Sequence, residues 1–191
     1  MSDHLDWRAL QLTAHAAFAV HLSAVTDWTA PTPDTEWNVR QLVSHVIEEQ
    51  QWVLPLLAGR TVAEARSRLD PLGDDLAAEW ARHSARAIEA WADVDLERII
   101  RLSRDAVPAG QYLAEQVSDV IIHTWDLARA IGTDDTIPTE LAAAAWTVFV
   151  PQRDTLEASG LYAAAVSVPA DAPLQTRLLA LTGRDVEVAA A

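Results

Sequence analysis

The chain contains no cysteine and no lysine. The first absence excludes a disulfide framework, a thiolate metal site and a catalytic thiol, so any thiol chemistry has to arrive with a ligand. The second leaves arginine as the main basic residue: 14 arginines stand against 28 acids, for a net charge of −14. Nucleic-acid binding and adsorption to an anionic membrane both draw on clustered positive charge, and this balance argues against both partners. Long apolar runs are missing too. The longest, LAAAAWTVFVP (Leu141 to Pro151), is too short to cross a bilayer. The opening MSDHLDW is acidic and lacks the basic-then-apolar pattern of a signal peptide. The expectation is a soluble cytoplasmic protein. At 191 residues it reads as one domain, 1–191, able to bury about 70% of the surface its unfolded form exposes.

What is present is alanine, leucine and eight tryptophans, mostly at a helical period. Leu5 to Val25 reads as one helix, with Leu12, Phe18, Ala19 and Leu22 on its buried side and His15 at the centre of the stripe. After the breaker cluster APTPDTEWN, Asn38 with Gln41 forms a capping box for a second helix that runs to about Leu57. Thr61 with Glu64 repeats the device for a short helix. A third long helix covers about Asp74 to Val94, and LERIIRLSRDAVPAG reads as an extended connection or small hairpin. The fourth runs from about Ala109 to Ile131 and stops at Gly132. Pro138 opens a fifth, which Pro151 kinks or ends, and a short helix follows near Leu174 to Leu181. The fold class is all-α: a bundle of four long helices with small additions.

Two stretches carry chemistry. In SHVIEEQQW, His45 sits at the margin of the apolar arc beside Trp52, with Glu49 one turn on. In SDVIIHTWDLARAIG, Asp119 and His123 project from one face of a very apolar helix, with Tyr112 and Asp126 on the same stripe. Such a stripe is either a solvated surface or the lining of an internal cavity. In the second case, His45 from a facing helix joins Asp119 and His123 in a three-ligand site, the ligand count of a catalytic zinc whose fourth position is left to water or substrate.

The segments WNVRQLVSHVIEEQQWVLPLLAG, DVIIHTWDLARAIGTD and VPADAPLQTRLLALTGRD give the chain its resemblance to the DinB-like superfamily of metal-binding four-helix bundles. Within it, the chain resembles the branch that contains the N-terminal domain of mycothiol-dependent maleylpyruvate isomerase and related actinobacterial metal-binding proteins. The resemblance implies a divalent metal, zinc or nickel, held by His45, Asp119 and His123. It implies mycothiol as a cosubstrate, an electrophile as the second partner, and S-transfer or thiol-assisted isomerisation as the reaction. Aspartate at position 119 departs from the commoner glutamate or histidine and is one methylene shorter than glutamate, so the metal would shift, bind through a water or bind more weakly. The isomerase's C-terminal catalytic groups have no counterpart in the chain, so its isomerase activity as such is not expected.

Glu49 reads either as a general base and outer partner of a ligand imidazole or as a surface carboxylate. Trp52 reads as core or as a substrate-pocket wall. Asp126 reads as an orienting group or, preferably, as a helix-surface partner of Arg129. His15 reads as a satisfied core histidine; His4, His21 and His83 carry no signal. Two rival functions stay open: a metal- or ligand-binding bundle without a reaction, as a monomer or a homodimer, and a two-histidine, one-carboxylate iron site.

Overall fold

The computed structural model of the chain describes residues 5–34, 36–102, 105–159 and 162–186, so His4 and residues 103–104 of the expected hairpin lie outside the described part. In chain order the elements are α1 (Trp7–Ser23), α2 (Val39–Leu57), α3 (Val62–Arg66), α4 (Leu76–Trp91), β1 (Ile99–Leu102), β2 (Asp105–Pro108), α5 (Ala109–Ile131), α6 (Thr139–Phe149), α7 (Arg153–Ser159) and α8 (Leu174–Leu181). The strands pair antiparallel, with Ile99 opposite Pro108. A 3-10 turn over Val150–Gln152 carries Pro151 between α6 and α7, where the ring ends the α-helical ladder.

Local chemistry sets the boundaries. The Asn38 side chain accepts from Gln41 N while Gln41 reaches back to the Asn38 N–H, and Thr61 with Glu64 does the same for α3. Asp6 and Asp75 cap α1 and α4. Gly132 ends α5 at φ 69°, in the left-handed region that a residue without Cβ adopts freely. Arg8 donates to the carbonyls of Trp91 (2.8 Å) and Val94 at the end of α4, and Arg98 donates to Leu57 O at the end of α2. Both put positive charge on the negative pole of a helix.

α1 and α2 each pack against both α4 and α5. They therefore lie on a diagonal of the four-helix bundle, while α6 covers α5 and α8 covers α6. The resulting core runs through Phe18, Leu42, Ile47, Trp91, Leu113 and Leu127, all fully or almost fully buried.

Two expectations for α1 need correction. Leu12 is 53% exposed, because it lies about 120° around the helix from Phe18 and the buried face is Gln11, Ala14, His15, Phe18 and Leu22. His15 is a core residue, its ring centroid 5.0 Å from that of Trp80, but its Nδ1 has no hydrogen-bond partner among the described residues.

Burial lowers the His15 pKa to about 4. Between that value and the unfolded value near 6.5 the unfolded chain binds the extra proton, so stability falls as pH drops through this window. The His15→Leu chain escapes this loss. Urea denaturation at pH 7 to 4.5 should show the stability difference moving in favour of the variant as pH falls, approaching about 3 kcal/mol; a pH-independent difference would refute the assignment.

Candidate metal centre

The seam between α2 and α5 brings together ionisable side chains from both helices. α2 contributes His45 and Glu49, spaced i, i+4, with His45 Nε2 3.7 Å from Glu49 Oε1. α5 contributes Asp119 and His123 at the same spacing, with Asp119 Oδ2 3.5 Å from His123 Nε2 and 3.9 Å from His45 Nε2. The two imidazoles stand almost perpendicular, 5.3 Å between centroids at 82°. One ligand atom from each of His45, Asp119 and His123 lies within 4.8 Å of the other two.

Each side chain is aimed by a neighbour. Tyr162 donates its hydroxyl to Asp119 Oδ1 at 2.9 Å, which leaves Asp119 Oδ2 buried and without a hydrogen-bond partner. His123 Nδ1 lies 3.0 Å from Asp126 Oδ2. A carboxylate oxygen accepts, so Nδ1 carries a proton and Nε2 is the ring atom aimed at Asp119 and His45. Asp126 is itself fully buried and is gripped by Arg184, Nε to Oδ1 at 3.2 Å and Nη2 to Oδ2 at 2.8 Å. Arg184 further donates to Thr182 O at 2.8 Å, and its ring neighbour is Tyr162.

This corrects the expected surface pair of Asp126 with Arg129. Asp126 turns inward to Arg184 and His123, and Arg129 pairs with Asp135 at 2.7 Å and the Val186 carbonyl. The tryptophan against the site is also different from the one expected. Trp37, at the entry to α2, stacks 4.5 Å from His45 and 5.7 Å from His123. Trp52 is half-buried two turns along α2, under the Arg66 guanidinium at 5.0 Å. Spacing within α2 puts Trp52 on the histidine side, but the hydrogen bond of Thr32 N to Trp37 O holds a nearer ring in place.

The electrostatics follow from burial and proximity. Burial holds the His45 imidazole below its ordinary value. Burial acts the same way on His123, but the Asp119 and Asp126 charges outweigh it and raise this imidazole. Burial works against ionised Asp119, yet His123, His45 and the Tyr162 hydroxyl hold its carboxyl below the usual range. Burial and the Asp119 charge push Glu49 well above the usual carboxylate range. The seam thus holds one carboxyl biased toward its charged form between two imidazoles, beside a second biased toward its protonated form.

The donor set fits a divalent cation. Tetrahedral zinc, with bonds near 2.0–2.2 Å, sets its ligand atoms roughly 3.3 Å apart. The observed 3.5 and 3.9 Å therefore need only a small inward movement, even with aspartate in place of a longer side chain. A second grouping, Asp34 with His123 and Asp126, already has its positive charge in Arg184, whose Nη2 lies 3.4 Å from Asp34 Oδ2. A separate cleft between α1, α5 and the 133–138 loop, with His21, Trp125 and Ala128 in its wall, includes none of these ligand atoms.

The model of the mycothiol maleylpyruvate isomerase N-terminal domain family matches residues 8–128, which contain the histidine–carboxylate cluster and Trp37 but neither Tyr162 nor Arg184. Uncharacterized proteins from two strains of Mycobacterium tuberculosis are 32% identical over 148 residues, covering 73% of this chain and 77% of theirs. The crystal structure of a histidine-to-alanine mutant of mycothiol-dependent maleylpyruvate isomerase shares the fold, with a TM-score of 0.59 at 18% identity. The match covers 73% of this chain and 66% of that one, just under two thirds of its length.

Removing Arg184 leaves Asp126 buried and uncompensated. Arg184→Met should cost about 3–5 kcal/mol in urea denaturation, and adding Asp126→Asn should restore part of that loss. Additive single losses would show that the two groups do not act as a pair.

Proposed function

Since the chain belongs to the mycothiol maleylpyruvate isomerase N-terminal domain family, we propose that it holds one divalent metal ion, zinc or nickel, on His45 Nε2, Asp119 Oδ2 and His123 Nε2. The ion would activate a low-molecular-weight thiol, mycothiol, for S-transfer to an electrophile or for thiol-assisted isomerisation. One observation carries the reading: a buried carboxylate oxygen lies 3.5 and 3.9 Å from two imidazole nitrogens that come from different helices. A bound cation supplies Lewis acidity, favouring the thiolate over the thiol at neutral pH.

The chain's own groups do the rest. Asp126 keeps the proton on His123 Nδ1, so that Nε2 remains a donor of electrons rather than of a hydrogen bond. Tyr162 restrains Asp119 so that one oxygen, not both, addresses the cluster. Glu49 is the group placed to take the thiol's proton, at Oε1. The Asp119 charge is one cause of its raised pKa, and neutralising that charge within the cluster would leave Glu49 ionised more readily and ready to accept. Trp37 packs against both rings, 4.5 Å from His45 and 5.7 Å from His123. Trp52 lies further along α2, where it would meet the body of a bound substrate rather than its reacting end.

Elemental analysis should find one equivalent of metal in the purified protein and little in His45→Ala, Asp119→Ala or His123→Ala. Asp126→Asn should weaken metal affinity roughly 10–100-fold, as loss of an outer partner does elsewhere. The metal-loaded protein should then consume mycothiol with a panel of electrophiles, and Glu49→Gln should slow this without releasing metal. Equal metal in all variants would overturn the ligand assignment; metal retention with no thiol consumption would reduce the protein to a binding module.

A further inference from the structure

The net charge of −14 sets two copies of this chain in mutual repulsion over most of their surface. One helix face escapes it. From Ala9 to Ser23 the exposed residues of α1 are Ala9, Leu12, Thr13, Ala16, Val20 and Ser23, and none carries a charge. The outer face of α4 shows the ordinary arrangement, with Arg82, Arg86 and Glu89 among its exposed alanines. Large apolar side chains collect on the α1 side as well. Of the five that are exposed among the described residues, Leu5, Leu12 and Val20 belong to it, at 39%, 53% and 66% exposure. An uncharged helix face with large apolar side chains exposed, on a chain of net charge −14, is suited to a contact surface.

We infer that this face pairs with the same face of a second copy, α1 running antiparallel to α1 about a two-fold axis at Ala16. The pattern along the face is symmetric about that residue. Leu12 lies four positions before Ala16 and Val20 four positions after it, so the face reads large, small, large in either direction. A two-fold contact is isologous and asks for such self-complementarity. The axis brings Ala16 against Ala16 and puts Leu12 of each copy in the layer of Val20 of the other. Ala9 and Thr13 let the helices approach closely. Electrostatics selects the same occupant: an anionic membrane is repelled by this chain, while a second copy touching only at its uncharged face keeps the repelling charges apart.

The size of the face sets the strength. A helix of 17 residues is roughly 25 Å long, and one such face is smaller than the ~800 Å² per partner of a standard stable interface. The dimer is accordingly weak and reversible. It tightens with salt, since added ions screen the repulsion and leave the apolar contact in place.

Sedimentation equilibrium of the full chain over a range of concentrations tests this. The expected result is a monomer–dimer equilibrium in the micromolar range whose dissociation constant drops several-fold when salt is raised from about 50 mM to about 500 mM. Ala16→Glu should weaken the dimer at least tenfold, and the milder Val20→Ser several-fold. Both positions are exposed and distant from the α2–α5 seam, so helicity and metal content should match the parent chain and report that the fold is intact. A chain that stays monomeric at every concentration and salt overturns the inference. So does a dimer that survives Ala16→Glu, and so does one that loosens with salt, which would be held by charge at another face.

Discussion

The bidentate ion pair of Arg184 with Asp126 is the interaction on which the order of the α2–α5 seam depends. Asp126 has no exposed surface, so its charge survives only because a guanidinium is delivered to it. With that charge in place, the carboxylate takes the Nδ1 proton of His123 as its hydrogen-bond partner and fixes the ring. The fixed ring in turn aims Nε2 at Asp119 Oδ2. A neutral Asp126 would donate as readily as accept, and the imidazole would lose its preferred tautomer. The chain of consequences begins at a residue near the C-terminus and ends at the α2–α5 seam.

The same logic accounts for four of the 14 arginines. Several are consumed inside the fold or at its joints. Arg8 and Arg98 close the ends of α4 and α2, Arg129 ties Asp135 to the Val186 carbonyl, and Arg184 lies buried. Guanidinium suits these tasks because its planar fork satisfies several acceptors at once. The chain keeps a net charge of −14, while the exposed residues of α1 from Ala9 to Ser23 carry no charge.

Helix boundaries were legible in the sequence because capping is local. Asn38 with Gln41, Thr61 with Glu64, and Gly132 each signal an end within four residues. Each half of the seam was legible for the same reason: His45 with Glu49 and Asp119 with His123 are i, i+4 pairs on single helices. The supports were not. Tyr162 and Arg184 lie 43 and 58 positions from the aspartates they hold, beyond the reach of any helical period. Trp37 escaped notice because it precedes α2 and reaches His45 through a turn, whereas Trp52 shared the helix and looked nearer. Leu12 falls at the margin of the apolar stripe with Phe18 and Leu22, but Gln11 and His15 occupy the buried arc in its place. Polar residues in the core and apolar residues on the surface both defeat a periodicity argument, and α1 contains both.

Aspartate at position 119 gains meaning from what surrounds it. A longer carboxylate would reach further into the seam but could address it with either oxygen. The shorter side chain keeps Oδ1 within reach of the Tyr162 hydroxyl, and that bond leaves Oδ2 as the one acceptor facing the imidazoles. A buried oxygen without a partner is costly, on the order of 1–3 kcal/mol for a neutral acceptor and more for a charged one. Natural folds tolerate such a cost mainly where another group is to supply the missing contact. The His123 imidazole, its pKa raised by the Asp119 and Asp126 charges, relieves part of that cost, and the cation proposed above would remove the rest.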